Sequence, residues 1–448
     1  MAQTSFIFEG GTAIIKNLGT LILLLLLLPF NLLAVLLTAI KGLFARRPDL
    51  TGVTEKKSIL ITGAKMTKAL QLARSFHRDG HNVYLVETHK YWLSGHRFSR
   101  AVKGFFTVPV PEKEPEAYCQ ALVAIAQQKQ IDLFIPVSSP IASYYDSLAK
   151  KALEPYCESI HLDPAETAIL DDKHAFCTKA REFGLSAPKV WRITDPQQIL
   201  DFDFASDGSK YIVKSIPYDS VLRLDLTRLP FPEMEEYVRS LPISESKPWV
   251  MQEFIRGQEY CFHATARKGK IRLHCCSESS PFQVNYRQVD NPAIYEWVAT
   301  FIEKMQLTGQ VCFDMIQTED GTVYPIECNP RLHSAITMFH DHPGVANAYL
   351  TDGETGAAIT PLPDSKPTYW TYHELWRLFS IRSPKELNIW LKKVTQGTDA
   401  ILTADDPLPF LTLHHWQIPL LLLDNLRRLK GWVKIDFNIG KLVEIGGD

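Results

Sequence analysis

The chain has 448 residues, 46 % of them hydrophobic and 22 % charged, with a formal net charge of −2. That length is enough for two or three globular domains and a large core, and the charge balance gives no sign of nucleic-acid binding, which usually needs a basic domain or stripe. Eight cysteines without a CxxC spacing read as reduced, structural thiols of a cytosolic compartment. In "LHCCSE", successive strand side chains alternate in direction, so His274, Cys275 and Cys276 do not converge on one metal.

The first predicted element is "LGTLILLLLLLPFNLLAVLLTAI", Leu18 to Ile40, 23 residues without a charge. A helix of that length matches a bilayer core of ~30 Å. A signal peptide would have a shorter apolar core and a small-residue cleavage site after it; here Lys41, Arg46 and Arg47 follow instead. With only Lys16 close before the segment, the positive charge lies after it and places the following domains on the cytoplasmic side. Pro29-Phe30-Asn31 is expected to break the middle, which leaves a kinked span and a monotopic or re-entrant anchor both open.

From Lys56 the rhythm is βαβ: a buried strand at Ser58 to Thr62, a helix from Thr67 to Asp79 stopped by Gly80, and a strand from Asn82 to Val86 ending at Glu87. The layout invites a dinucleotide reading with Glu87 on a ribose, but "TGAKMTK" has one glycine where three are wanted. With a third strand at Leu133 to Val137 and another helix, residues 56–165 read as a small doubly wound α/β domain behind a 1–55 anchor and linker. A helix opening near Pro164 contains "LDDKHAFCTKAREFGL", and "KYIVKSIPYDS" puts Lys214 at the end of an apolar strand. "MQEFIRGQEYCFHATARKGKIRLHCCSE" reads as strand, turn, strand, turn, strand, and "NPAIYEWVATFIEKMQLTG" as an amphipathic helix. Residues 166–360 form the second domain. Beyond it, 361–448 is rich in Trp and Leu, with an amphipathic helix in "WQIPLLLLDNLRRLKGWVK".

"CFDMIQTEDGTVYPIECNPR", from Cys312 to Arg331, places Asp314 on one short apolar strand, a turn at Glu319-Asp320-Gly321, and Glu327 and Asn329 on the next strand. Across such a hairpin Asp314 and Glu327 face one another, and Asn329 shares the face of Glu327 because a strand has period 2. The bland alternative is a hairpin with solvated acids. For Lys173 and Lys214 the bland alternative is an ammonium reaching to solvent.

Lys173, Lys214, "QEFIRGQEY", Asp314 and "ECNPR" come in an order that resembles the ATP-grasp ligases, over residues 56 to 345. "TGAKMTKALQLARSFHRDGH", "VETHKYWLSGHRFSR", "SIPYDSVLRLDL" and the hydrophobic leader make the chain most similar to the cyanobacterial mycosporine-glycine synthases, which join glycine to 4-deoxygadusol. The resemblance implies an ATP-grasp fold behind the small α/β domain. It implies ATP and Mg²⁺ as cofactors, two ions being expected and Mn²⁺ a substitute, with 4-deoxygadusol and glycine as substrates and a homodimer as the oligomer to look for.

On this reading Asp314, Glu327 and Asn329 hold the metal by hard oxygen ligands. Lys173 and Lys214 follow the α- and β-phosphates. Backbone groups of Glu253, Phe254 and Ile255 bond the adenine edge, and Glu259 takes a ribose hydroxyl. Arg331 stands by the γ-phosphate as the catalytic residue or grips a substrate carboxylate. The substrate candidates are His263, Ser277, Glu278, Gln283, Asn285, Tyr286, His333 and Ser334. The family's Gly-rich phosphate flap has no counterpart: "SIPYDSVLRLDLTRLP" contains no glycine, leaving Ser215, Ser220 and Arg223 as side-chain substitutes. A ligase with another acid and amine, and a tethered nucleotide-binding scaffold without turnover, remain the competing expectations.

Overall fold

An apolar run satisfies its backbone polar groups locally only as a helix, and α1 (Ala2–Phe44) is one α-helix of 43 residues. It runs unbroken through Pro29, so the expected interruption at Pro29-Phe30-Asn31 does not form. The computed structural model describes residues 2–44, 55–138, 140–217, 222, 225–279, 285–351 and 357–444.

The α/β domain behind it is built from β1 (Ser58–Ile61), α2 (Thr67–Arg78), β2 (Asn82–Thr88), β3 (Gly104–Val108), α3 (Pro115–Lys129), β4 (Leu133–Ile135), α4 (Pro140–Leu153) and β5 (Glu158–Ser159). The five strands form a parallel sheet in the order β3-β2-β1-β4-β5. Ile59, Leu60 and Ile61 are wholly buried because helices cover both faces, which is why β1 reads as a continuous apolar run. The ribose role considered for Glu87 does not fit. Its carboxylate accepts the Lys65 backbone N–H and the Lys65 ammonium, both at 3.1 Å, and so pins the turn after β1.

The expected single helix after Pro164 is two: α5 (Pro164–Asp171) and α6 (Lys173–Glu182). Asp172 sits extended between them and its carboxylate accepts the amides of His174 and Ala175, the usual way an aspartate caps orphan donors at a helix start. Lys173 thereby lies in a first helical turn. A small antiparallel sheet follows, of β6 (Val190–Ile193), β7 (Tyr211–Ser215) and β8 (Trp249–Glu253) in the order β6-β8-β7, with short helices α7 (Gln197–Leu200), α8 (Phe204–Asp207) and α9 (Met234–Ser240) around it.

The larger sheet comprises β9 (Gln258–Arg267), β10 (Lys270–Glu278), β12 (Gly309–Gln317) and β13 (Val323–Asn329) in the order β10-β9-β12-β13. Between β10 and β12 the chain forms β11 (Asn285–Tyr286) and α10 (Pro292–Met305). One face of this sheet is apolar: Phe262, Ala264, Val311, Phe313 and Met315 pack with Phe176 of α6 and with Trp297 and Phe301 of α10. The stacked Trp297–Phe301 pair and the edge-on Phe176–Phe301 pair both have centroids 5.4 Å apart.

The C-terminal part contains α11 (Val345–Leu350), β14 (Thr368–Tyr369), α12 (Thr371–Leu378), α13 (Pro384–Gln396), β15 (Thr398–Asp399), α14 (Leu408–Thr412), a π turn at Leu413–Gln417, α15 (Ile418–Arg427), β16 (Lys434–Asp436) and β17 (Lys441–Val443). It shares one core with the α/β domain: Phe76, Trp370, Phe410 and Leu422 belong to one apolar cluster. A buried Arg74–Asp406 ion pair at 2.8 Å and the Trp370 indole bonded to the Thr67 hydroxyl at 3.0 Å tie the two regions.

Candidate active site

In an antiparallel sheet, residues directly opposite one another share a face. The register pairs Asp314 with Glu327 and with Cys261, Cys312 with Asn329 and with His263, and Ser277 with Cys261. The face opposite the apolar one therefore carries Cys261, His263, Ser277, Cys312, Asp314, Glu327 and Asn329 together. A β-bulge directly after Asp314 locally re-aims its strand.

The Asn329 amide nitrogen lies 3.5 Å from Asp314 Oδ2 and 3.4 Å from Glu327 Oε1, so one carboxamide bridges both acids. Its oxygen accepts from the Arg331 guanidinium at 2.8 Å. Lys173 Nζ reaches Glu327 Oε2 at 3.0 Å. Burial pushes the Glu327 carboxyl up, but the Lys173 charge together with hydrogen bonds from Lys173, Asp314 and Asn329 holds the group below its ordinary range. Asp314 goes the other way: burial first, then the charge of Glu327, push its carboxyl well above the ordinary carboxylate range. A cation beside the two acids would relieve that repulsion. Hard oxygen donors on one face, with an amide beside them, fit Mg²⁺, and rotation of the Asn329 amide would turn its oxygen towards the acids.

Lys214, near the end of β7, belongs to the same electrostatic cluster. Burial lowers its ammonium's proton affinity, Glu327 supports the charge and Lys173 opposes it. Lys173 from α6, Lys214 from the smaller sheet and the Asp314–Glu327 pair from the larger one thus converge from three elements. Glu259 at the start of β9 also acts on Lys214. At the end of β8 the sheet claims two of the amides expected to meet an adenine: Glu253 N–H donates to Lys189 O at 2.8 Å and Phe254 N–H to Lys210 O at 2.7 Å. The Glu253 carboxylate accepts from Lys189 N–H and the Ser209 hydroxyl. Ile255 is the next residue, at the turn into β9.

The eight substrate candidates divide. His263 and Ser277 are buried on the face of the Asp314–Glu327 pair, and among the described residues His263 Nε2 and Ser277 Oγ have no hydrogen-bond partner. His333 stands beside Cys261 on that face: its Nδ1 accepts the Ala335 N–H, which leaves the proton on Nε2, and Cys261 Sγ is 3.4 Å from Nδ1. Tyr286 packs edge-on to His333 with centroids 5.3 Å apart. Ser334 follows, its hydroxyl accepting from the Asn438 amide at 2.8 Å. Glu278 does not join them, because it faces the other side of the sheet at an exposed strand end. Asn285 donates instead to Glu374 in the C-terminal part. Gln283 lies outside the described residues, as do Ser220 and Arg223 of the glycine-free loop; Ser215 donates to Pro217 O.

Two features were missed from sequence. Cys261 and Cys312 approach to 3.3 Å between sulfurs and cluster with His333 on the face of the acids. Face parity was the available signal, since both lie two residues or one rung from Asp314. Lys68 of α2 crosses from the α/β domain, fully buried, to donate to Leu332 O at 2.7 Å. Burial, then the Arg331 charge, push its ammonium well below the ordinary lysine range. No local pattern announces that contact, which spans 264 residues of chain. A separate cleft of about 520 Å³, lined by Arg287, Asp290, Lys366 and Gln396, contains none of these residues.

No protein-family model matches the chain, and no curated protein matches it. Solved structures do match in fold. N5-carboxyaminoimidazole ribonucleotide synthetase in its ADP complex is 13 % identical at a TM-score of 0.53, over 73 % of this chain and 86 % of that one. A biotin carboxylase complex with β-γ-ATP from Campylobacter jejuni is 14 % identical at 0.52, over 67 % and 73 %. N5-carboxyaminoimidazole synthetase from Staphylococcus aureus complexed with ADP is 13 % identical at 0.50, over 70 % and 81 %. The chain therefore has the ATP-grasp fold, behind a doubly wound α/β domain and one long apolar helix.

Proposed function

We propose that this chain is an ATP- and Mg²⁺-dependent ligase that phosphorylates 4-deoxygadusol and couples it to glycine, held at a membrane with its catalytic part on the cytoplasmic side. The observation that carries the ligase reading is the convergence of Asp314, Glu327 and Asn329 with Lys173 and Lys214. Bound Mg²⁺ would neutralise the triphosphate and make its terminal phosphorus a better electrophile. Asp314, Glu327 and Asn329 would hold it, while Lys173 and Lys214 neutralise phosphate oxygens and Arg331 balances charge on the transferred group.

The enol of a 1,3-diketone is a vinylogous acid, so its oxygen can serve where a carboxylate usually does. That oxygen takes the γ-phosphoryl and ADP leaves. The amine of glycine then adds to the ring carbon, and expulsion of phosphate with loss of the amine proton leaves an enaminone. The chain's own part is to position the reactants and keep water out. His263 Nε2 and Ser277 Oγ, without a partner among the described residues, suit an acceptor rich in oxygen, because such groups stay unpaired at a cost unless the acceptor meets them.

The same metal and lysine residues would serve a ligase of another acid and amine. Incubation of the full chain with ATP, Mg²⁺ and candidate acceptors decides. Phosphate release that requires both glycine and 4-deoxygadusol, with a product of the coupled mass, is the expected result. Release with carboxylates alone transfers the assignment to the broader ligase. No release with any acceptor overturns the enzyme in favour of a nucleotide-binding scaffold.

A further inference from the structure

The long apolar helix is docked from Lys16 to Gly42. Near its start Lys16 donates to Trp432 O at 2.6 Å and stands over the Trp432 ring, and the Asn17 amide donates to Lys430 O at 2.9 Å. Seven residues on, Leu24 is buried in the core shared with the α/β domain. After seven more, the Asn31 amide meets the Tyr372 hydroxyl at 2.5 Å and His415 Nε2 at 2.6 Å. At its end Gly42 lies so close to Ala404 that a Cβ there would stand 2.0 Å from the Ala404 carbonyl oxygen. These contacts follow one stripe of the helix and span, from Lys16 to Gly42, about 39 Å at 1.5 Å per residue.

The arrangement inverts the usual amphipathic helix. Its polar groups, Lys16, Asn17 and Asn31, bond to the C-terminal part. Apart from Leu24 and its neighbour Leu21, most of its leucines and isoleucines face away from the protein: Ile15, Ile22, Leu25, Leu26, Leu33 and Leu36 are each more than half exposed. A helix crossing a bilayer would have to leave the C-terminal part or drag it into the hydrocarbon. Lys430, Lys434 and Asp436 belong to that part, and burying them there is costly.

The apolar surface continues from α1 onto α12. Tyr372, which Asn31 touches, stands on one helical face with Trp376 and, one turn on, Phe379, which are 78 % and 76 % exposed. Trp416, next to His415, and Leu423 of α15 are also exposed. Cationic residues accompany these segments: five basic against two acidic over residues 371–396, and four against one over 418–434. Apolar side chains ringed by lysine and arginine are what an anionic lipid surface recognises.

We infer that α1 lies in the plane of a bilayer surface rather than across it, and that the Trp376–Phe379 end of α12 together with α15 forms the rest of one lipid-facing surface selective for anionic headgroups. The inference rests on the membrane part of the reading above and makes it specific. Inside-out membrane vesicles from cells expressing the full chain, washed with carbonate, test both levels. Cysteines placed by Gln3→Cys and by Phe44→Cys would both react with a membrane-impermeant maleimide before detergent is added, the unsubstituted chain giving the background. Reaction at Phe44→Cys but not at Gln3→Cys without detergent would mean a spanning helix and overturn the in-plane arrangement while leaving the tether intact. Loss of the chain to the supernatant before any carbonate wash would overturn the tether itself. With purified protein and vesicles of phosphatidylcholine alone or with phosphatidylserine, the Trp376→Glu/Phe379→Glu double variant should bind at least about tenfold more weakly to the anionic vesicles, with unchanged ATP turnover. Equal binding by variant and parent would remove α12 from the surface.

Discussion

The two faces of the β10-β9-β12-β13 sheet are made by alternate residues of the same strands and could hardly differ more. On one face Phe262, Phe313 and Met315 meet Phe176, Trp297 and Phe301 in a dry, close-packed core. On the other, Asp314 and Glu327 crowd two carboxyls beside Asn329, with His263 and Ser277 holding polar atoms that have no partner among the described residues. Stability is gained on the first face and spent on the second. An acid kept protonated by burial and by its neighbour's charge is an expense that a simple hairpin has no reason to carry.

Substitutions on each face sharpen that contrast. The largest effect is expected for Glu327→Ala: ATP turnover with acceptor falls about a thousandfold, or ~4 kcal/mol of transition-state stabilisation, while circular dichroism stays that of the parent. Normal turnover would remove the metal assignment. Phe313→Ala is its mirror image on the core face, costing about 3–5 kcal/mol in chemical denaturation with turnover per folded molecule preserved. If Phe313→Ala abolished turnover in protein that remained folded, the division of labour between the faces would be wrong.

Melting temperatures of the metal-free protein at pH 7 should move in opposite directions for the two acids. Asp314 keeps its proton in the fold to higher pH than in the unfolded chain, where an aspartate titrates near about 3.9. Stability is therefore lost as pH rises through that window, and Asp314→Asn restores it and raises the melting temperature. Glu327 is held ionised by Lys173, so its contribution is present at neutral pH and lost as pH falls; Glu327→Gln lowers the melting temperature. Shifts of the same sign for both variants would refute the electrostatic account. The smallest effect belongs to Ser277→Ala, which should raise the acceptor's KM about fivefold, ~1 kcal/mol, and leave kcat near the parent's. An unchanged KM would take Ser277 out of the acceptor's reach.

Much of this site was readable before the structure. Period-2 alternation and one tight turn are enough to set Asp314 opposite Glu327 and Asn329 on the same face, because a hairpin's register follows from its turn. Even so, the bulge after Asp314 was not readable. The split of one helix into α5 and α6 was missed although Asp172, a good capping residue, stands at the break. Proline was over-weighted in α1: Pro29 sits inside an unbroken helix, since neighbouring turns and the packed C-terminal part hold the chain where a lone peptide would have yielded.

By itself the sequence determined what is local: the buried parallel strands, the facing acids and the apolar leader. These follow from periodicity, turn chemistry and charge, which act over a few residues. Only the tertiary structure decided that Lys68 reaches Leu332, that Cys261 and Cys312 meet on the face of the acids, that residues 361–444 share a core with the first α/β domain, and that the leader lies along that core with most of its leucines outward. Each of those depends on contacts between residues tens to hundreds of positions apart, where no local preference distinguishes one partner from another and only the packing of whole elements selects.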